Sequence, residues 1–403
     1  MYCVRPITSD ILYVGASDRR QTLFENIYPI PRGISYNAYL VLDEKTVLMD
    51  TADHAVSDRF FENIAHGLNG RQLDYVVVDH MEPDHAATLG EVLRRYPACQ
   101  VVGNAKTQTM IGQFFDLDVS DRFLCVKEGD VLSTGRHAFT FYMAPMVHWP
   151  EVMVTYDQTD KVMFSADAFG TFGALSGNLF ADELDFEKDW MDEARRYYTN
   201  IVGKYGVQVQ ALLKKMAEVE ICTLCPLHGP IWRKDISRFM EKYRIWSSFL
   251  PEERGVVIAC GSIYGNTENA ADYLAFRLAE KGVRDIVLYD LSHVPVSEVV
   301  SQAFRFSHLV LASSTYNGGI FTPMEELLLD LKAHNLQNRT VAMVENGSWA
   351  AVTARLMGDI VGAMKNMTVL EGSVSLRSSV KADKLAGLDA LADALAADIL
   401  SGQ

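Results

Sequence analysis

Basic residues are scarce in this chain. Its 403 residues carry 37 Lys and Arg against 52 Asp and Glu, a formal charge of −15. Binders of a phosphate backbone need a broad basic surface, so this balance argues against nucleic acid as a partner. Cysteine is equally sparse: Cys3, Cys99, Cys125, Cys222, Cys225 and Cys260 are too scattered for a disulfide framework and suit free, mostly buried thiols in a reducing compartment. Only Cys222 and Cys225 form a C-x-x-C, and with no second pair we read it as part of an apolar strand. Long apolar runs are missing too. Nowhere do about 18 apolar residues follow one another, as a membrane span requires. The opening Met1-Tyr2-Cys3-Val4-Arg5-Pro6 also lacks the apolar core of a secretory signal, so we expect a cytoplasmic protein with no membrane association.

The length suits two or three domains, and the pattern changes near Pro251-Glu252-Glu253-Arg254-Gly255. We expect a first domain over 1–250, ending in a linking helix at about 233–246, and a second over 251–403. The first half reads as two sheets flanked by helices, with strands expected at 35–42, 46–50, 74–79, 99–103, 138–144, 152–156 and 162–166 and helices at 86–96 and 194–217. The second half alternates strictly between strand and helix. Five such units in about 150 residues describe an open, doubly wound parallel sheet, with its last strand expected at 369–374.

The sharpest chemical signal is Asp79-His80-Met81-Glu82-Pro83-Asp84-His85, placed directly after the apolar strand Tyr75-Val76-Val77-Val78. His80, Glu82, Asp84 and His85 put four strong ligands in six positions, on a loop that Pro83 keeps extended. A solvated loop with Asp84 capping the following helix is the plainer alternative. Three more ligands stand at or just beyond the ends of apolar strands: His148, Asp167 and His228, the last followed by the turn Gly229-Pro230. That recurrence favours a metal centre.

These residues resemble the metallo-β-lactamase superfamily, whose motif reads H-x-H-x-D-H with distant His, Asp and His. Glu82 replaces the second histidine, and the H-x-E-x-D-H form is similar to that of the flavodiiron proteins. The resemblance implies an α/β fold with an N-terminal metallo-β-lactamase-like αββα sandwich and two non-haem iron ions. It implies that His80, Glu82 and His148 hold one iron, that Asp84, His85 and His228 hold the other, and that Asp167 bridges them. A carboxylate in place of an imidazole hardens the site, which favours iron over hydrolytic zinc.

The second half carries its own motif, Ser262-Ile263-Tyr264-Gly265-Asn266-Thr267, between a strand and a helix. Hydroxyl and amide groups there, with Gly265 allowing close backbone approach, suit an anion at a helix N-terminus. Without the Gly-Lys-Ser/Thr of nucleotide triphosphate sites, a cofactor monophosphate is expected. Two later strand ends, Ser314-Thr315-Tyr316-Asn317-Gly318 and Asn346-Gly347-Ser348-Trp349, each bring an aromatic able to cover a flat ring. This pattern resembles the FMN site of a flavodoxin-like five-stranded domain.

The combined resemblance covers essentially the whole chain and implies the minimal two-domain form, with no appended rubredoxin or flavin reductase. It implies an FMN- and diiron-dependent oxidoreductase that reduces dioxygen to water, nitric oxide to nitrous oxide, or both. Electrons would come from an external protein donor such as rubredoxin, and the assembly would be a head-to-tail homodimer or a dimer of dimers. The alternative is a dizinc hydrolase with an accessory flavodoxin domain. Arg233, Lys234, Arg238, Lys242 and Arg244, with only Asp235 and Glu241 among them, form the densest basic run, which reads either as a solvated face of the linking helix or as a candidate surface for steering an acidic donor.

Overall fold

Short β-branched and aromatic runs separated by polar turns dominate the first third of the chain, and they fold as strands. The computed structural model describes residues 1–401. A seven-stranded sheet runs in the order Arg5–Pro6, Ile11–Tyr13, Tyr39–Leu42, Thr46–Met49, Tyr75–Val77, Gln100–Gly103, Phe123–Cys125. Its first four strands are antiparallel and its last four parallel. A five-stranded sheet follows, Val131–Ser133, Ala138–Met143, Met153–Asp157, Val162–Phe164 and Thr223–Cys225, antiparallel except for its final pair.

Alternation along the strands sorts side chains between the layers. Leu40 turns towards the helix Ser57–Leu68, where a Cβ on Gly67 would lie only 2.7 Å from its Cδ2. Tyr39 turns the opposite way and packs on Phe164 of the second sheet, with ring centroids 5.3 Å apart. The parallel strands end beside one another, so the loops that follow them share one rim of the sandwich.

The chain divides into two compact units, Met1–Tyr198 with Val207–Arg244, and Thr199–Gly206 with the chain from Ile245 onward. In the second unit, parallel strands lie in the order Ile286–Asp290, Glu253–Gly261, Phe306–Tyr316, Thr340–Asn346, with Thr368–Val369 and Val374–Leu376 both beside the last. Counted along the chain this is 2-1-3-4-5, the flavodoxin-like order. Both faces of the sheet are covered. Val257, Ala259, Leu309, Leu311, Val341 and Met343 enter one core, and the intervening Val256, Ile258, Val310, Ala312, Ala342 and Val344 enter the other.

Three expectations need correction. The helix read over 194–217 is broken: Met191–Tyr197 gives way to a wide turn at Tyr198–Val202 and a tight one at Gly203–Tyr205 before Gly206–Met216 resumes. The intervening Asn200 donates its side-chain amide to the Ser297 carbonyl and accepts at its own carbonyl from His334 Nε2, within the second unit. The strand read over 369–374 is two short pieces, because Gly372 takes a positive φ of 88°. Cysteines are free but not mostly buried, since Cys3, Cys125 and Cys222 are exposed while Cys99, Cys225 and Cys260 are buried. Among the described residues no helix is long and apolar enough to cross a membrane.

Candidate functional site

All seven candidate ligands come together on the rim of the sandwich. His80, Glu82, Asp84 and His85 follow Tyr75–Val77; His148 lies between Ala138–Met143 and Met153–Asp157; Asp167 follows Val162–Phe164; His228 follows Thr223–Cys225. Ligand atoms of His80, Glu82, His148 and Asp167 form one group and those of Asp84, His85 and His228 a second. Asp167 faces both. Its Oδ2 lies 3.0 Å from His148 Nε2 and 3.3 Å from His80 Nε2, while its Oδ1 lies 3.2 Å from His85 Nε2 and 3.6 Å from His228 Nε2. Glu82 Oε2 stands 3.0 Å from His148 Nε2, and Asp84 Oδ2 stands 3.2 Å from His85 Nε2 and 3.3 Å from His228 Nε2.

This donor set fits a pair of cations. Both Asp84 oxygens and Asp167 Oδ1 are buried, and although imidazole nitrogens stand near them none among the described residues makes a well-formed hydrogen bond to these atoms, a costly state that a bound cation relieves. Charge tells the same story. Burial alone would raise the Asp167 carboxyl, yet the facing His85 and His80 hold it well below the usual range. Burial would lower His148, yet Asp167 and Glu82 push it up to about 9. The carboxylates therefore demand positive charge opposite them.

Outer partners fix the rings. His80 Nδ1 is 2.8 Å from Glu151 Oε1, which also accepts from the Met81 amide at 2.9 Å. His228 Nδ1 donates to the Ser35 carbonyl at 2.7 Å. The following Gly229 is required, because a Cβ there would sit 2.0 Å from Thr171 Cγ2. Asp50 Oδ1 accepts the backbone amides of Asp79 and His80, at 2.9 and 3.2 Å, and so anchors the loop's entry. Tyr197 packs 5.4 Å from the His228 ring, and its buried hydroxyl has no hydrogen-bond partner among the described residues. Phe24 and Tyr36 stand edge-on to His228 at 5.5 and 5.8 Å. A cleft of about 490 Å³, lined by Phe24, Glu25, Tyr36, Glu82 and Asp84 among others, opens onto the cluster. Sequence reasoning missed Glu151, Asp50 and Tyr197; only the closeness of Glu151 to His148 in the chain could have drawn attention to it.

In the second unit a cleft of about 540 Å³ lies at the carboxyl ends of the parallel strands. Strand register aligns Gly261 with Ser313 and Ser314 with Asn346, which brings the three loops level. Ser262, Ile263, Tyr264, Asn266, Thr267, Ser314, Thr315, Asn317, Gly318, Asn346, Gly347, Ser348 and Trp349 all line it. Gly265 and Tyr316 do not. Gly265 is the turn itself, at φ 81° before the helix Asn266–Glu280, and Tyr316 stands edge-on to Phe321 at 5.9 Å. Ser378 is a lining residue the sequence did not reveal; Asn346 holds it through its backbone carbonyl and amide, at 2.8 and 3.0 Å. The buried Ser262 hydroxyl has no partner beside the helix N-terminus, which fits a phosphate there. Tyr264 and Trp349, 91% and 94% exposed, are free to cover a flat ring.

Of the two readings of the basic run at 233–244, its ion pairs favour the solvated helix face. Arg233 and Lys234 pair with Asp182 at 3.0 and 3.2 Å, Arg238 with Glu187 at 2.8 Å, and Arg244 with Glu241 at 2.6 Å, so much of its field is cancelled locally.

Residues 34–229 match the family model described as "ODP family beta lactamase". The chain is 30% identical over 350 residues to the anaerobic nitric oxide reductase flavorubredoxin of Aeromonas hydrophila, covering 85% of this chain and 70% of that one. Among solved structures, rubredoxin oxygen:oxidoreductase from Desulfovibrio gigas superposes with a TM-score of 0.90 at 27% identity over 99% of both chains. The flavodiiron protein of Giardia intestinalis shares the fold with a TM-score of 0.93 at 23% identity, over 99% of this chain and 98% of that one.

Proposed function

The chain belongs to the flavodiiron protein family, and from that premise we propose that it reduces dioxygen to water, nitric oxide to nitrous oxide, or both, with electrons from a rubredoxin-like protein. It is an oxidoreductase. We assign His80, Glu82 and His148 to one iron, Asp84, His85 and His228 to the second, and Asp167 to both. We assign the cleft formed by the 262–267, 314–318 and 346–349 loops to FMN. The functional domains are then 1–250 and 251–403. When bound, two ferrous ions supply two electrons and reduced FMN two more, matching the four that full reduction of dioxygen consumes.

The chain's own residues do the rest. Glu151 and the Ser35 carbonyl hold the His80 and His228 rings in one orientation, so little rearrangement is needed as charge changes. Phe24 and Tyr36 cover His228 and limit water, while the unpartnered Tyr197 hydroxyl offers an O–H donor beside it. The observation that carries this reading is the Asp167 carboxylate, with one oxygen towards each ligand group, in a chain that also bears a cleft of about 540 Å³ at the carboxyl ends of a parallel sheet.

The test is anaerobic reduction of the metal- and flavin-loaded protein, followed by stopped-flow mixing with each gas. Reoxidation by at least one gas, at a rate that depends on its concentration, is expected. A loaded protein that consumes neither refutes the proposal. Light scattering tests the homodimer or dimer of dimers that the family resemblance implies.

A further inference from the structure

The first unit contains a second cleft, of about 400 Å³, between the N-terminal strands and the loop around Leu175–Leu179. Its polar groups are unusual. Tyr13 is 8% exposed and lines the cleft, yet its hydroxyl has no hydrogen-bond partner among the described residues. Arg59, on the helix Ser57–Leu68, lines it with neither a carboxylate nor any other partner among the described residues. Among the described residues Arg19 donates only to the Leu175 carbonyl. Arg5, by contrast, is neutralised by Glu183 at 2.8 Å and closes one end. The Ser17 hydroxyl accepts from the Leu175 amide at 3.1 Å and pins the loop in place. Val4, Leu175 and Leu179 supply an apolar wall.

In a chain of net charge −15, two exposed guanidinium groups with no carboxylate partner among the described residues flank a largely buried phenol whose hydroxyl opens onto the cleft, a local surplus of donors. Arginine favours planar oxyanions, and the volume lies within the roughly 300–1,000 Å³ typical of small-molecule sites. We propose that this cleft binds a small organic oxyanion, a carboxylate or phosphate monoester. Arg19 and Arg59 hold its charged end, Tyr13 donates its O–H to it, and Val4, Leu175 and Leu179 cover its apolar body. The cleft shares no lining residue with the opening over the metal cluster or with the cleft of the second unit, and only the choice of the loaded protein for its test rests on the proposed function.

Calorimetric titration of the iron- and FMN-loaded protein tests it, because FMN then fills the other phosphate-binding cleft. The probes are phenyl phosphate, benzoate and the neutral benzyl alcohol. Saturable binding of phenyl phosphate or benzoate is expected, with benzyl alcohol at least about tenfold weaker; whichever anion binds identifies the head group. Arg59→Gln, an exposed change, should weaken binding about tenfold, and Tyr13→Phe a few-fold, with iron and FMN content unchanged. No saturable heat from either anion overturns the proposal. So does binding that both variants leave unaltered.

Discussion

The proposed metal cluster and the proposed flavin cleft solve opposite problems with the same device, a loop at the end of a strand. The cluster is closed: His80, His85, His228 and Asp167 are at most 1% exposed, and their donors already stand within about hydrogen-bonding distance of one another. The cleft is open, and two of its aromatics are almost fully in solvent. Buried charges stay in place only if every partner is present, so the cluster is costly to disturb and specific. An open cleft built from hydroxyls, amides and flat rings makes many weak contacts, and the loss of any one is tolerated.

The largest effect should therefore come from Asp167→Ala. It removes the carboxylate that faces both groups and leaves four imidazoles with less compensating charge. We expect loss of at least one metal equivalent by elemental analysis and a fall in gas consumption of about a hundredfold or more, with FMN retained. Full metal occupancy with undiminished turnover would break the contrast between the two sites. Next in size is Glu151→Gln, which keeps the shape but weakens the hold on His80 Nδ1. Metal affinity should drop about 10–100-fold, read by chelator competition, while flavin affinity stays constant. An unchanged affinity would reduce Glu151 to a packing role.

On the open side, Trp349→Ala should loosen FMN by about 2–10-fold, the value of one stacked ring, with no change in metal content. A loss of metal in this variant would show that the two sites are not independent in the way their burial suggests.

The cluster was legible in the sequence because each ligand ends an apolar run, and a strand end is a position that both pattern and chemistry mark. Its supporting residues were not. Glu151 sits in the irregular His148-Trp149-Pro150-Glu151 segment, and Asp50 acts through backbone amides of a loop thirty residues away, a relation that only the sheet register creates. Ser378 was hidden for another reason: it follows a strand that Gly372 divides, so the expected strand end fell in the wrong place. Tyr316 shows the reverse error. Its strand-end position and its aromatic ring both pointed to the cleft, but packing against Phe321 turns it aside. Local pattern identifies which residues can take part, and long-range pairing decides which of them face the ligand.

A histidine among carboxylates is not sufficient for a metal site, and His137 gives the control. Its Nδ1 lies 3.0 Å from Asp157 and its Nε2 3.1 Å from Asp10, with Asp160 close by. Here, however, the Arg136 guanidinium lies 3.0 Å from both Asp10 and His137 Nε2 and pairs with Asp160, so the cation's place is filled by the chain itself. Burial would lower the His137 imidazole, but its hydrogen bonds to Asp157 and Asp10 raise it above its ordinary 6.5. Burial would raise Asp10, but His137 lowers it below its ordinary 3.8. The signs then set a window. The His137 contribution is complete below pH 6.5 and is lost as the pH climbs through its raised folded value; the Asp10 contribution is present above 3.8 and is lost as the pH falls through its lowered one. His137→Asn should therefore destabilise the protein by about 1–3 kcal/mol in urea titrations near pH 5–6, with a smaller deficit near pH 8–9, and should leave the metal content unchanged. A deficit that does not vary with pH would remove the titration from the account. A fall in bound metal would make His137 a ligand and overturn the distinction drawn between the two histidine clusters.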